Sequence, residues 1–105
     1  MTRALVNPGI CGMVATVVVT MAEKRRVRIE ITSDCEKVRG MTEAYPELNQ
    51  FDALKPPVSS EVYRLASEHK LCSSCPLPMA ILKAVEIETG LALPRPVTIR
   101  FETAD

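Results

Sequence analysis

Residues Met13–Thr32, MVATVVVTMAEKRRVRIEIT, decide the fold. The first half, Met13–Glu23, is rich in β-branched residues and reads as a strand. Met13, Ala15, Val17, Val19 and Met21 fall on one face. The other face, Val14, Thr16, Val18 and Thr20, is also partly apolar. A strand apolar on both sides belongs in the middle of its sheet. Glu23-Lys24-Arg25 makes a polar tip. Arg26–Thr32 then alternates, with Val27, Ile29 and Ile31 facing inward and Arg26, Arg28 and Glu30 outward. The two runs form a hairpin.

Working toward the N-terminus, residues 1–12 read as an irregular arm, because Asn7-Pro8-Gly9 is turn chemistry. Toward the C-terminus, Ser33 and Glu36 have capping-box spacing and predict a helix to about Tyr45. Val38, Met41 and Tyr45 share its inner face, and Pro46 ends or bends it. Residues 49–58, with Pro56-Pro57, read as a loop. Ser59 or Ser60 can cap a second helix, Glu61–Lys70, with Val62, Leu65, Ala66 and His69 on one stripe. Pro76 and Pro78 are tolerated in a first helical turn, and Met79–Thr89 has helical length and an almost wholly apolar surface. Gly90 is its C-terminal stop. Beyond Leu91–Pro96, Val97, Ile99 and Phe101 alternate with Thr98, Arg100 and Glu102. This predicts a third strand beside the first. The expected architecture is a small α+β two-layer sandwich: a three-stranded, mostly antiparallel sheet with about three helices on one face.

The 105 residues fit one domain, 1–105, and 47% hydrophobic composition is enough for a core. Thirteen basic and thirteen acidic residues cancel. The basic footprint of nucleic-acid binding is missing, and Lys24-Arg25-Arg26 reads as a solvated hairpin tip. Asn7-Pro8-Gly9 interrupts the early apolar stretch before a signal-peptide core can form. The apolar run Cys11–Ala22 is too short for a membrane span of about 20 residues. The expectation is a soluble, cytoplasmic protein without membrane or nucleic-acid partners. In a reducing compartment four cysteines point to metal or redox chemistry before structural disulfides.

Cys11, Cys35, Cys72 and Cys75 all fall at element ends. Cys11 precedes the first strand, Cys35 opens the first helix, and Cys72 and Cys75 lead into the third. An antiparallel hairpin sets the end of its second strand beside the start of its first, which brings Cys35 near Cys11. Cys72 and Cys75 join them if the third helix starts at the same sheet edge. Helix N-termini carry partial positive charge, which is expected to lower the thiol pKa of Cys35 and Cys75. The four thiolates are candidate metal ligands, for an iron–sulfur cluster or for zinc. Two readings stand beside this one. Cys72 and Cys75 can be a thiol–disulfide redox pair or sensor. Alternatively, all four are packed thiols of a non-catalytic interaction module, a homodimer included.

Other side chains offer less. His69, the sole histidine, lies on an apolar stripe and reads as a core or cap residue before a ligand. Asp34 suits capping better than metal coordination. Met13, Met21, Met41 and Met79 read as packing. With one His, no nucleophile elbow and no Gly-rich phosphate loop, an enzyme is the less favoured class.

Asn7–Gly12 (NPGICG), Ile31–Glu36 (ITSDCE) and Cys72–Glu86 (CSSCPLPMAILKAVE) together resemble a family of short four-cysteine proteins of anaerobic archaea and bacteria that has no assigned function. The likeness covers nearly the whole chain. More distantly, the cysteine placement is similar to that of U-type iron–sulfur cluster scaffold proteins and of TSCPD domains. The scaffold likeness implies Cys11, Cys35 and Cys75 as cluster ligands, with Cys72 additional, and partner proteins for cluster or metal delivery. Two positions depart from it: Met13 stands where the scaffold has Asp, and Ser74 where it has His.

Overall fold

The computed structural model describes residues 1–44 and 47–104. The chain forms β1 (Thr2–Val6), β2 (Ala15–Met21), β3 (Arg26–Ser33), α1 (Glu36–Ala44), β4 (Glu47–Asn49), two 3₁₀ turns (Asp52–Leu54 and Pro57–Ser59), α2 (Glu61–Glu68) and α3 (Leu77–Glu88). The sheet order is β1-β2-β3-β4, antiparallel throughout. β2 is interior, as its two apolar faces predict.

One face of the sheet is the core. Val17, Val19 and Val27 are fully buried there, and Ala15, Ile29 and Ile31 nearly so. The helices close over this face with Val38 and Met41 from α1, Val62 and Leu65 from α2, and Leu77, Ile81 and Val85 from α3. Each such aliphatic side chain contributes about 1.5–3 kcal/mol on full burial. On the other face Arg28, Glu30 and Thr32 are exposed, and Thr16, Val18 and Thr20 are half-buried. The molecule is therefore a two-layer α+β sandwich, with four strands rather than three among the described residues.

Both sheet termini differ from expectation. The N-terminal arm is a strand: Thr2–Val6 pairs with Ala15–Val19. Thr2, Ala4 and Val6 turn toward the helices, while Arg3 and Leu5 are exposed. β1 thus takes the place beside β2 that the alternation of Val97–Glu102 suggested for that segment. Val97–Glu102 forms no strand and is exposed: alternation becomes a strand only where a neighbouring backbone bonds to it, and among the described residues no backbone hydrogen bond reaches the segment. Tyr45 and Pro46, read as helix face and helix stop, lie outside the described residues.

Helix ends follow local chemistry. Ser33 does not cap α1. It closes β3, and its hydroxyl accepts from the Cys35 N–H at 3.1 Å. The Arg39 N–H donates to the Cys35 carbonyl at 3.0 Å, which puts Cys35 itself at the cap. Ser60 caps α2, its hydroxyl accepting from the Tyr63 N–H at 3.3 Å. The loop before α2 adds a second cap that no spacing rule announces. Asp52 is fully buried. Its carboxylate accepts from the Ser60 hydroxyl at 2.7 Å, the Glu61 N–H at 2.8 Å and the Val62 N–H at 3.2 Å. A carboxylate at a helix N-terminus satisfies otherwise orphaned N–H groups and the helix dipole together.

α2 and α3 end in the same motif with different residues. After α3, Gly90 takes φ +78°, the Leu91 N–H donates to the Glu86 carbonyl and the Gly90 N–H to that of Ile87. After α2 the corresponding bonds run from Leu71 to Ala66 and from Lys70 to Ser67, but Lys70 holds φ +59°. A left-handed conformation costs about 1–2 kcal/mol with a Cβ present.

Two stability outcomes follow from these ends. Lys70→Gly is expected to raise the urea midpoint by the equivalent of about 0.5–1 kcal/mol, since the relieved strain exceeds the extra entropy glycine gives the unfolded chain. Asp52→Ala is expected to cost about 2 kcal/mol or more, because it removes the cap and strands the buried Ser60 hydroxyl.

Candidate functional site

Sheet register gathers the cysteine-bearing segments. Val6 pairs with Ala15, and Ala15 with Ser33. The β1–β2 loop, which carries Cys11, and the exit from β3, which leads to Cys35, therefore lie at one end of the sheet. The orientation of α3 adds the other two. At its C-terminus, Glu88 accepts a hydrogen bond from the Thr2 hydroxyl at 2.7 Å, which places that helix end at the start of β1. This bond holds the Glu88 carboxyl below its ordinary value. Twelve helical residues and five strand residues both span about 17–18 Å. The N-terminus of α3, preceded by Cys72 and Cys75, therefore reaches the Val6 end of β1.

The four thiols differ in setting. Cys11 and Cys72 are exposed, whereas Cys35 and Cys75 are half-buried against the core. All four are free thiols. Cys11 rides a loop shaped by Asn7, whose side chain accepts from the Gly9 N–H at 3.1 Å, and by Gly9 and Gly12 at φ +89° and +68°. Cys72-Ser73-Ser74-Cys75 is a closed turn, the Cys75 N–H donating to the Cys72 carbonyl at 2.9 Å. Pro76 caps α3, with Leu77 and Pro78 in its first turn.

Burial pushes the Cys75 thiol above its ordinary value of 9.0. The Leu77 backbone N–H, donating to this sulfur, opposes that rise, and negative charge on Cys11, Cys35 and Cys72 adds to it. The expected lowering of Cys75 by the helix N-terminus is thus overturned: desolvation outweighs the single N–H directed at the sulfur. The same balance shows that the other three cysteines all lie within electrostatic reach of Cys75. Among the described residues, no group of three or more His, Cys, Asp or Glu stands in metal-holding geometry. The four thiols share one end of the sheet without being closed on a common point.

His69 is placed elsewhere. It follows α2 as its C-cap, and its Nδ1 lies 3.1 Å from the position a Cβ on Gly40 would occupy. The missing side chain at Gly40 lets the end of α2 settle on α1. Asp34 is exposed. The contribution of the Leu77 N–H had no signal in residue type, since every residue but proline carries this donor. Exposed Ile10, Met13 and Val14 flank Cys11, so Met13 is not a core residue.

The settings order the reactivity of the thiols. In metal-free, reduced protein near neutral pH, Cys11 and Cys72 are expected to be alkylated first and Cys75 last, as read by peptide mass spectrometry. A raised thiol pKa means that folding favours the protonated form. Its contribution to stability is full below 9.0 and is lost as pH rises through the higher folded value. Cys75→Ala is expected to flatten that alkaline loss in urea titrations.

No helix among the described residues is long and apolar enough to cross a membrane. No curated protein and no solved structure matches the chain. One family model does, over residues 2–101, which include all four cysteines and every strand and helix described above. The chain therefore belongs to the family described as "Family of unknown function (DUF6951)".

Proposed function

We propose that the protein binds a soft metal ion or an iron–sulfur cluster through the thiolates of Cys11, Cys35, Cys72 and Cys75. One observation carries this reading. Three segments distant in sequence, the β1–β2 loop, the start of α1 and the turn before α3, each bring cysteine to the same end of the sheet, within electrostatic reach of Cys75. Thiolate is the donor that soft metals select. Four of them suit a tetrahedral zinc ion or an iron–sulfur cluster.

The differences among the four thiols fit such a role. Cys75 and Cys35 lean on the core and supply the fixed side. Cys11, on an exposed loop, and Cys72, at the exposed start of its turn, supply the adjustable side. Loading draws the thiols inward and expels their protons, that of Cys75 included, so affinity rises with pH. A carrier or scaffold role, with protein partners that deliver or receive the metal, accords with two of the ligands being exposed. A cytoplasmic location accords with thiols kept reduced.

A second reading has one observation in its favour. The closed turn from Cys72 to Cys75 suits a disulfide made when the two thiols give up two electrons and two protons to an oxidant. Against it, the raised pKa of Cys75 makes that sulfur a poor attacking group at neutral pH.

Protein purified without oxygen decides between them by metal analysis and absorption. The expected result is stoichiometric bound metal, either iron with acid-labile sulfide and a broad visible band, or colourless zinc. Cys35→Ser and Cys75→Ser are each expected to abolish retention through dialysis. Four reactive thiols with no metal would refute the proposal, and a pair that cycles with dithiothreitol would favour the redox reading instead.

A further inference from the structure

Among the described residues, β1 is an outer strand whose only neighbour in the sheet is β2. A row of its backbone N–H and C=O groups therefore faces away from the sheet, ready to pair. Along that edge runs a groove of about 820 Å³. The backbone of Thr2–Gly9 is one wall, the α3 flank with Met79, Lys83 and Ile87 is the floor, and Pro94–Ile99 with Phe101 stands opposite.

The opposite wall has the side chains of a strand without its bonds. Val97, Ile99 and Phe101 are 52%, 63% and 89% exposed, at every second position. Among the described residues, no backbone hydrogen bond reaches residues 96–104. The segment lies along its own β1 but does not pair with it. Pro94 and Pro96 restrict its connection to extended backbone.

Whatever fills this groove must offer backbone N–H and C=O groups to β1 and an apolar side chain at every second residue to the α3 flank. The same segment of a second copy offers both. We infer that Val97–Glu102 becomes a strand by docking between β1 and α3 of a second copy, which returns its own segment in exchange. A two-fold pair satisfies both free edges with one operation. The two segments then run antiparallel about the axis and bond to each other as well as to the β1 strands, carrying one sheet through both copies. Charge does not oppose this occupant: Arg100 and Glu102 of the segment pair with each other, so it brings no net charge to the groove beside Arg3 and Lys83.

Sedimentation equilibrium of the intact, reduced chain tests the exchange. The expected mass is twice 11.6 kDa. The variant carrying Ile99→Asp and Phe101→Asp is expected at the single-chain mass with unchanged helical circular dichroism, since both positions are exposed and outside the core. Hydrogen exchange supplies a second readout: amides of 97–102 and the outward-facing amides of β1 are slow in the dimer, and both become fast in the double variant. A wild-type chain that stays monomeric at every concentration overturns the inference. So does a dimer that survives the double substitution, or a monomer whose 97–102 amides are slow, which would mean docking on its own β1.

Discussion

The packing of α3 across β1 and β2 is the contact on which the rest of the structure depends. Ile81 and Val85 are completely buried against a sheet face whose Val17 and Val19 are buried as completely. An amphipathic helix can cover a sheet in either direction. Here the Thr2–Glu88 hydrogen bond ties the end of α3 to the beginning of β1, which sets the direction. Its reversal would leave the core nearly as apolar but carry Cys72 and Cys75 to the other end of the sheet, away from Cys11 and Cys35.

That orientation turns a hydrophobic arrangement into a chemical one. The strands and α1 alone would leave two cysteines beside each other on short connections. With the helix in place, Cys75 is pressed toward the core, and its thiol is raised by burial and by the other three sulfurs together. Uncharged thiols tolerate such proximity, whereas thiolates repel unless a cation sits among them.

Stability and specificity are distributed unevenly around this site. The interior is satisfied in detail, down to the buried Asp52 carboxylate that accepts three hydrogen bonds at the start of α2. The outer edge of β1 and the alternating segment beyond α3 are not. Unpaired backbone on one and uncovered Val97, Ile99 and Phe101 on the other are complementary deficits within one chain. Two copies can remove both without disturbing the core.

By itself the sequence determined the hairpin, the interior place of β2 and the three helices, because these depend on local periodicity and on capping. Val17, Val19, Val27 and Ile29 alternate where a pleated strand needs them, and Ser60 and Gly90 mark helix ends by their own chemistry. That no cysteine lies in an element interior was legible for the same reason. Pairing partners were not. β1 is only five residues long, and the Asn7-Pro8-Gly9 turn that follows it reads equally well as part of an irregular arm, while Val97–Glu102 alternates well and forms no strand. Whether an alternating segment becomes a strand depends on which backbone it bonds to in three dimensions, and tertiary structure alone decides that. It also decided the direction of the Cys75 shift, since desolvation depends on the depth at which neighbouring helices and strands set the sulfur, a property no single segment of sequence contains.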